Sequence, residues 1–160
     1  MHYPNHTIFV FEYRPEYLYV FVKGEYDLYA ISRQYWQEVA DACKENGVKK
    51  VLVEEDIAEL VSMSVMFRLV SELGQIGLTG IKVAFVDRQL DHASLNELGI
   101  LVGINRGLIG KAFSNQRDAV EWLMSSRKTQ APCLRMSVTL ARTNVRAMEN
   151  VKRTMENAGS

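Results

Sequence analysis

The sequence predicts an α/β domain: a four- or five-stranded mixed sheet with an N-terminal β-hairpin and covering helices, followed by a C-terminal amphipathic helix. Three observations predict it. Two aromatic, β-branched segments stand side by side near the start, separated by a Pro-containing turn. From residue 30 onward, segments of helical period alternate with short apolar runs, and such alternation places mostly parallel strands beneath helical crossovers. The chain has 160 residues, 48% hydrophobic and 24% charged, the composition of an ordinary globular domain. That length buries about two-thirds of the surface its unfolded chain would expose, and the composition excludes a disordered chain, which combines low hydrophobicity with a charge excess.

The elements follow in order. TIFVFE (7–12) and YLYVFVK (17–23) are rich in aromatic and β-branched residues and read as the two strands of a hairpin, with Pro15 in the turn between them. Residues 30–46 read as a helix, with Ile31, Tyr35, Val39, Ala42 and Cys43 at helical spacing, Ser32 a possible N-cap and Asn46-Gly47 the stop. Residues 48–54 form a strand around Val51-Leu52-Val53. Residues 59–73 form a second helix, with Leu60, Met63, Phe67, Val70 and Leu73 on its apolar face. Gly74, Gly77 and Gly80 end it. A strand at 81–86 stops at Asp87. A helix over 93–105 carries Gly99 and Gly103, and an edge strand over 107–113 precedes a last helix capped by Ser114 or Asn115. Pro132 marks a linker at 127–135. Beyond it, Val138, Ala141, Val145, Met148, Val151 and Met155 form an apolar stripe flanked by Arg142, Arg146, Lys152 and Arg153, a basic helical tail at 136–160. The domain itself spans 1–126.

Net charge is zero, from 19 Lys and Arg against 19 Asp and Glu. The zero is uneven. Residues 1–126 carry 12 basic and 17 acidic side chains, a net −5, and residues 127–160 carry seven basic and two acidic, a net +5. A generally basic nucleic-acid binder is therefore excluded, and no nucleic-acid partner is expected. Two cysteines, Cys43 and Cys133, form neither a disulfide framework nor a metal or redox spacing. The first residues lack the basic and apolar regions of a signal peptide, and no apolar run reaches the length of a membrane span, so cytoplasm is the expected location.

Chemistry-bearing residues gather at the carboxyl ends of the central strands, where open α/β sheets bind ligands. Glu54, Glu55 and Asp56 follow one strand; Asp87, Arg88, Asp91 and His92 follow the next. Glu55, Asp56, Asp87 and His92 are the candidate ligand-loop residues. Carboxylates there offer oxygens to a cation or an acid–base pair with His92, against the plain alternative of a solvated loop. No phosphate-cradling Gly loop, metalloprotease motif or nucleophile elbow occurs, so no catalytic residue, metal site or cofactor is expected. Gly74, Gly77 and Gly80 follow a helix rather than a strand and make no dinucleotide fingerprint. Gly103, Gly107 and Gly110 read as a flexible connection. Aromatics crowd the start of the chain, with Phe9, Phe11, Tyr13, Tyr17, Tyr19, Phe21, Tyr26 and Tyr29 within the first thirty residues. Core packing accounts for part of the set; the rest point to a homodimer through the hairpin face or to docking of the tail there.

The order of hairpin, helix, VLVEE strand, helix, VAFVD strand, weak helix and the closing Phe113 with Ala119-Val120-Glu121-Trp122-Leu123 resembles the STAS-like, SpoIIAA-like domains, over about residues 7–125. The similarity is greatest to their little-characterised bacterial branch, grouped with SpoIIAA and with Sec14-type lipid carriers. The resemblance implies a non-enzymatic regulatory or protein-binding module. In its anti-sigma antagonist members a phosphorylated serine opens the helix after the central strand. The matching positions here hold Ser62 and Ser64, without the family's flanking Asp and Gly. Ser62 and Ser64 are thus candidates for phosphorylation or partner contact, at a helix N-terminus that tolerates an anion, with capping as the plain alternative. The Sec14 side implies instead a carrier or sensor of a small apolar or lipid-like ligand. An enzyme using Glu55, Asp87 and His92 is the third reading. An apolar pocket favours the carrier, a flat surface around Ser62 the regulator, and carboxylates converging on His92 the enzyme.

Overall fold

A computed structural model describes residues 7–26 and 28–125. The expected linker at 127–135 and basic helix at 136–160 lie outside these residues. Strands β1 (Ile8–Tyr13) and β2 (Leu18–Tyr26) form the expected hairpin, antiparallel, with Tyr13 opposite Leu18. The turn is closed by the Arg14 N–H donating to the Tyr17 carbonyl at 3.0 Å. There follow α1 (Tyr29–Asn46), β3 (Lys50–Glu59), α2 (Met63–Leu73), β4 (Lys82–Asp87), α3 (Ala93–Ile104), β5 (Ile109–Phe113) and α4 (Gln116–Met124). A π-helical turn at Gly74–Leu78 prolongs α2, and a 3-10 turn at Leu90–His92 leads into α3.

The five strands stand side by side in the order β1-β2-β3-β4-β5, and every pair after the hairpin is parallel. Each crossover therefore steps one place in the same direction. Crossovers of one hand stepping one way lay their helices on one face of the sheet, and α1, α2 and α3 pack there. The opposite face receives α4. Strand side chains alternate between the two. Leu18, Val20, Val22, Val51 and Val53 meet Tyr35, Trp36, Val39, Leu69 and Leu73 in the larger core. Leu52, Ala84 and Val86 meet Ala119 and Leu123 in the smaller one.

Several boundaries differ from the sequence expectation. Strand β3 continues to Glu59 instead of ending at Glu54, because β2 pairs with it as far as Tyr26 opposite Glu59. Consequently α2 begins at Met63, capped by Ser62, and its buried residues are Met66, Leu69 and Leu73. The expected stripe is displaced: Leu60, between strand and helix, and Met63, the first residue of α2, are exposed. Ser32 is no N-cap. Helix α1 already starts at Tyr29, and Ser32 lies buried in its first turn. Asn115, not Ser114, caps α4, its side-chain oxygen accepting the Asp118 N–H at 2.9 Å. Gly47 ends α1 as expected, at φ 64°, a left-handed conformation that favours glycine.

Gly99 and Gly103 do not interrupt α3. Four residues apart, they form a small face of the helix. A Cβ on Gly99 would lie 3.3 Å from Met66 Sδ, and one on Gly103 would lie 3.4 Å from Val70 Cγ1. Close approach of α2 thus offsets the roughly 1 kcal/mol that each interior glycine costs a helix.

The aromatic hairpin is divided between the two faces. Phe9, Phe11 and Tyr29 pack on the larger core, Tyr17 and Tyr19 on the smaller. Tyr13 and Tyr26 are exposed, as are Ile8 (53%) and Val10 (43%) on the outer face of edge strand β1. Cys43 is buried in α1, and burial pushes its thiol up to about 11. Among the described residues no helix is long and apolar enough to cross a membrane.

Candidate functional site

The extension of β3 changes the character of the acids that were expected in a loop. Glu54 and Glu55 are consecutive strand residues, so their side chains leave opposite faces of the sheet. Both are buried, as are Asp87 and His92. A solvated loop is therefore not their setting.

On the α4 face, Glu54 sits in a complete network. Tyr19 Oη donates to Oε2 at 2.5 Å, Arg88 Nε to Oε1 at 2.8 Å, and Gln116 Nε2 to Oε2 at 3.3 Å. The Arg88 guanidinium lies over the Phe21 ring, 4.7 Å from its centroid. Asp56 joins from the side, accepting from Gln89 Nε2 at 3.0 Å, with Arg88 Nη1 3.9 Å away. Burial, then the bond to Glu54, pushes the Tyr19 hydroxyl up to about 12. Each acceptor here already has its donor, and the network ties the start of α4 to the strand ends.

On the opposite face, Glu55 stands in register beside Asp87 on the neighbouring strand. Asp87 is an anchor. Its Oδ1 accepts the Gln89 N–H at 2.9 Å; its Oδ2 accepts Asn96 Nδ2 at 2.7 Å and meets His92 Nδ1 at 3.1 Å. An ionised carboxylate only accepts, so Nδ1 carries the hydrogen. Three groups from residues 89–96 are thereby fastened to the end of β4, which sets where α3 begins. Glu55 accepts from Tyr35 Oη of α1 at 2.8 Å.

Glu55 also lines a pocket of about 120 Å³ between this face of the sheet and α1, α2 and α3. Its wall is apolar: Trp36, Met66, Leu69, Val70, Phe85 and Ile100 belong to it, together with the bare backbone of Gly99 and Gly103. Four polar side chains reach it, Ser32, Tyr35, Glu55 and Asn96. Leu60 and Ile109 also line it and are 38% and 46% exposed.

Of the residues singled out in the sequence, the fold brings Asp87 and His92 into contact and sets Glu55 next to them. Asp56 it assigns to the opposite face with Glu54. Ser62 and Ser64 lie elsewhere, exposed at the N-terminus of α2; Ser62 Oγ accepts the Val65 N–H at 3.3 Å and stands 3.1 Å from Ser64 Oγ. Tyr35, Asn96 and Gly99 were not anticipated as site residues. Asn96 had a signal, since it follows His92 by four residues, one helical turn. Tyr35 had none to separate it from core. Among the described residues no cluster of three or more His, Cys, Asp or Glu is placed to hold a metal ion.

No protein-family model and no curated protein matches the chain. Among solved structures it is similar to an uncharacterized protein of the DUF3478 family with a SpoIIAA-like fold from Shewanella loihica PV-4, at 16% identity and a TM-score of 0.46. The alignment covers 77% of this chain and 98% of that one. At that score the strand order and pairing, not the likeness, carry the α/β assignment.

Proposed function

We propose that this chain is a non-enzymatic binding module that receives a small apolar ligand in the pocket beneath α1, α2 and α3. One observation carries the reading: an apolar cavity of about 120 Å³ with a few polar groups gathered at one side, the usual build of a small-molecule site. Cores are packed to leave few voids of that size, and an apolar cavity of roughly 150 Å³ takes up benzene. The ligand is accordingly of one-ring size. The same geometry ranks the alternatives. Asp87 and His92 are committed to holding the β4–α3 connection, and His92 is not among the pocket-lining residues, which disfavours an enzyme built on them. Ser62 and Ser64 remain as partner-contact residues on α2, a helix that also walls the pocket.

The test is titration with toluene, followed by the backbone amide signals of Gly99, Gly103 and Gly110. Saturable shifts confined to the lining residues are expected. Ile100→Phe enlarges a side chain that lines the cavity and is expected to weaken them. Uniform, unsaturable drift in the unmodified chain sinks the reading.

A second reading, contact with another copy of the chain, is favoured by Ile8 and Val10, apolar and exposed on an edge strand whose unpaired backbone groups invite pairing. The expected result is a dimer by sedimentation at micromolar concentration, converted to monomer by Val10→Lys. A monomer before substitution rules it out.

A further inference from the structure

We infer that the otherwise apolar ligand carries one neutral hydroxyl group, paired with the side-chain amide of Asn96 in the pocket wall. This rests on the binding reading above and adds the chemical class. Asn96 is the fourth residue of α3 and lines the cavity. Its Nδ2 donates to Asp87 Oδ2 at 2.7 Å. That bond holds the amide in one orientation, because Asp87 is itself fixed at the end of β4 by Gln89 and His92. A primary amide has two N–H donors and a carbonyl oxygen with two lone pairs. The bond to Asp87 uses one donor, and among the described residues no other group is bonded to this side chain. Nor is its oxygen sealed in: among the described residues the buried side-chain N or O atom left without a partner is Thr7 Oγ1. The Asn96 carbonyl oxygen is thus open to a molecule of water size, on a side chain that faces the cavity wall. A hydroxyl suits it. By rotating its O–H bond, a hydroxyl donates to the carbonyl oxygen or accepts from the second N–H, whichever edge of the amide it meets. Being neutral, it needs no counter-charge, and none of the described lining residues is Lys, Arg or His to receive an anionic head. In a wholly apolar cavity a hydroxyl gives up water and gains nothing; beside Asn96 the lost bond is replaced by one already oriented. Trp36, Met66, Leu69 and Phe85 leave the rest of the wall to an apolar ring. A one-ring phenol combines the two.

Toluene and phenol differ by a methyl against a hydroxyl, so the pair separates polarity from shape. Toluene, phenol and benzoate are titrated in turn at pH 7, with the Gly99, Gly103 and Gly110 amides reporting location. Phenol is expected to bind at least as tightly as toluene, although water holds it more strongly, and benzoate is expected to be weakest. Cross-relaxation from the Asn96 NH2 protons is expected to reach the ring protons that flank the phenol hydroxyl and not the proton opposite it. Asn96→Leu keeps the shape and removes the amide; it is expected to weaken phenol about fivefold, the factor of one neutral hydrogen bond, and to leave toluene within a factor of about two. Phenol weaker than toluene, benzoate as tight as phenol, contact of Asn96 with the opposite end of the ring, or equal losses for both ligands in Asn96→Leu overturns the hydroxyl while leaving the pocket reading intact. Failure of all three ligands overturns the pocket reading itself. The order of affinities and the cross-relaxation in the unmodified chain decide the matter even if Asn96→Leu does not fold.

Discussion

Asp87→Ala is expected to destabilise the domain by about 3 kcal/mol. The carboxylate accepts from a backbone N–H, an amide and an imidazole, and it does so from the end of a central strand. Alanine leaves the His92 imidazole, 3% exposed, without that acceptor, and a buried donor deprived of its partner costs about 1–3 kcal/mol. The Asn96 amide is half-buried and recovers part of its loss from water. That recovery is why the sum of three full bonds is not expected. Asp87→Asn retains one acceptor oxygen and is expected to cost about half as much. Urea unfolding of the three chains gives the comparison. If both substitutions fall within about 0.5 kcal/mol of the unmodified chain, the range of ordinary surface changes, Asp87 does not anchor α3.

Leu123→Ala is expected to cost about 3–4 kcal/mol. Leu123 is fully buried, and with Ala119 it supplies the buried contacts of α4 on the smaller core. Leu52, Ala84 and Val86 beneath it sit on rigid strands and cannot close the space, so the cavity term adds to the lost transfer energy. The helix is nine residues long, too short to persist without tertiary packing. Local loss of α4 is therefore expected to accompany the global effect. Three bonds resist it: Lys82 Nζ donates to the carbonyls of Trp122 at 2.7 Å, Ser125 at 2.9 Å and Leu123 at 3.4 Å. Hydrogen exchange of the α4 amides, with the unfolding midpoint, is the measurement. Intact α4 protection together with a loss below about 1 kcal/mol contradicts the account.

Much of the architecture was readable along the chain because it is written in local chemistry. The TIFVFE and YLYVFVK pair, the Asn46-Gly47 stop and the Asn115 cap act over a few residues, and the alternation of periods implies parallel strands wherever it occurs. The candidate site was readable only in part. His92 and Asp87 lie five residues apart, and their contact could be anticipated. Glu55 was misplaced, because in VLVEEDIAE three consecutive acids look like the end of a strand. The counter-signal was Ile57, two residues beyond Glu55 and on the same face.

What the linear order of residues settles here is the set of elements and their succession: hairpin and helix, then two strand–helix alternations, then a closing strand and helix. Those follow from propensity, period and capping, which are short-range. The pocket belongs to another level. It exists because β2 holds β3 in register as far as Glu59, because three crossovers of one hand stack three helices on one face, and because Gly99 and Gly103 let α2 approach α3. Each of these joins residues tens of positions apart. Whether an acid such as Glu55 meets water or a cavity depends on what the rest of the chain lays over it, and no local rule carries that information.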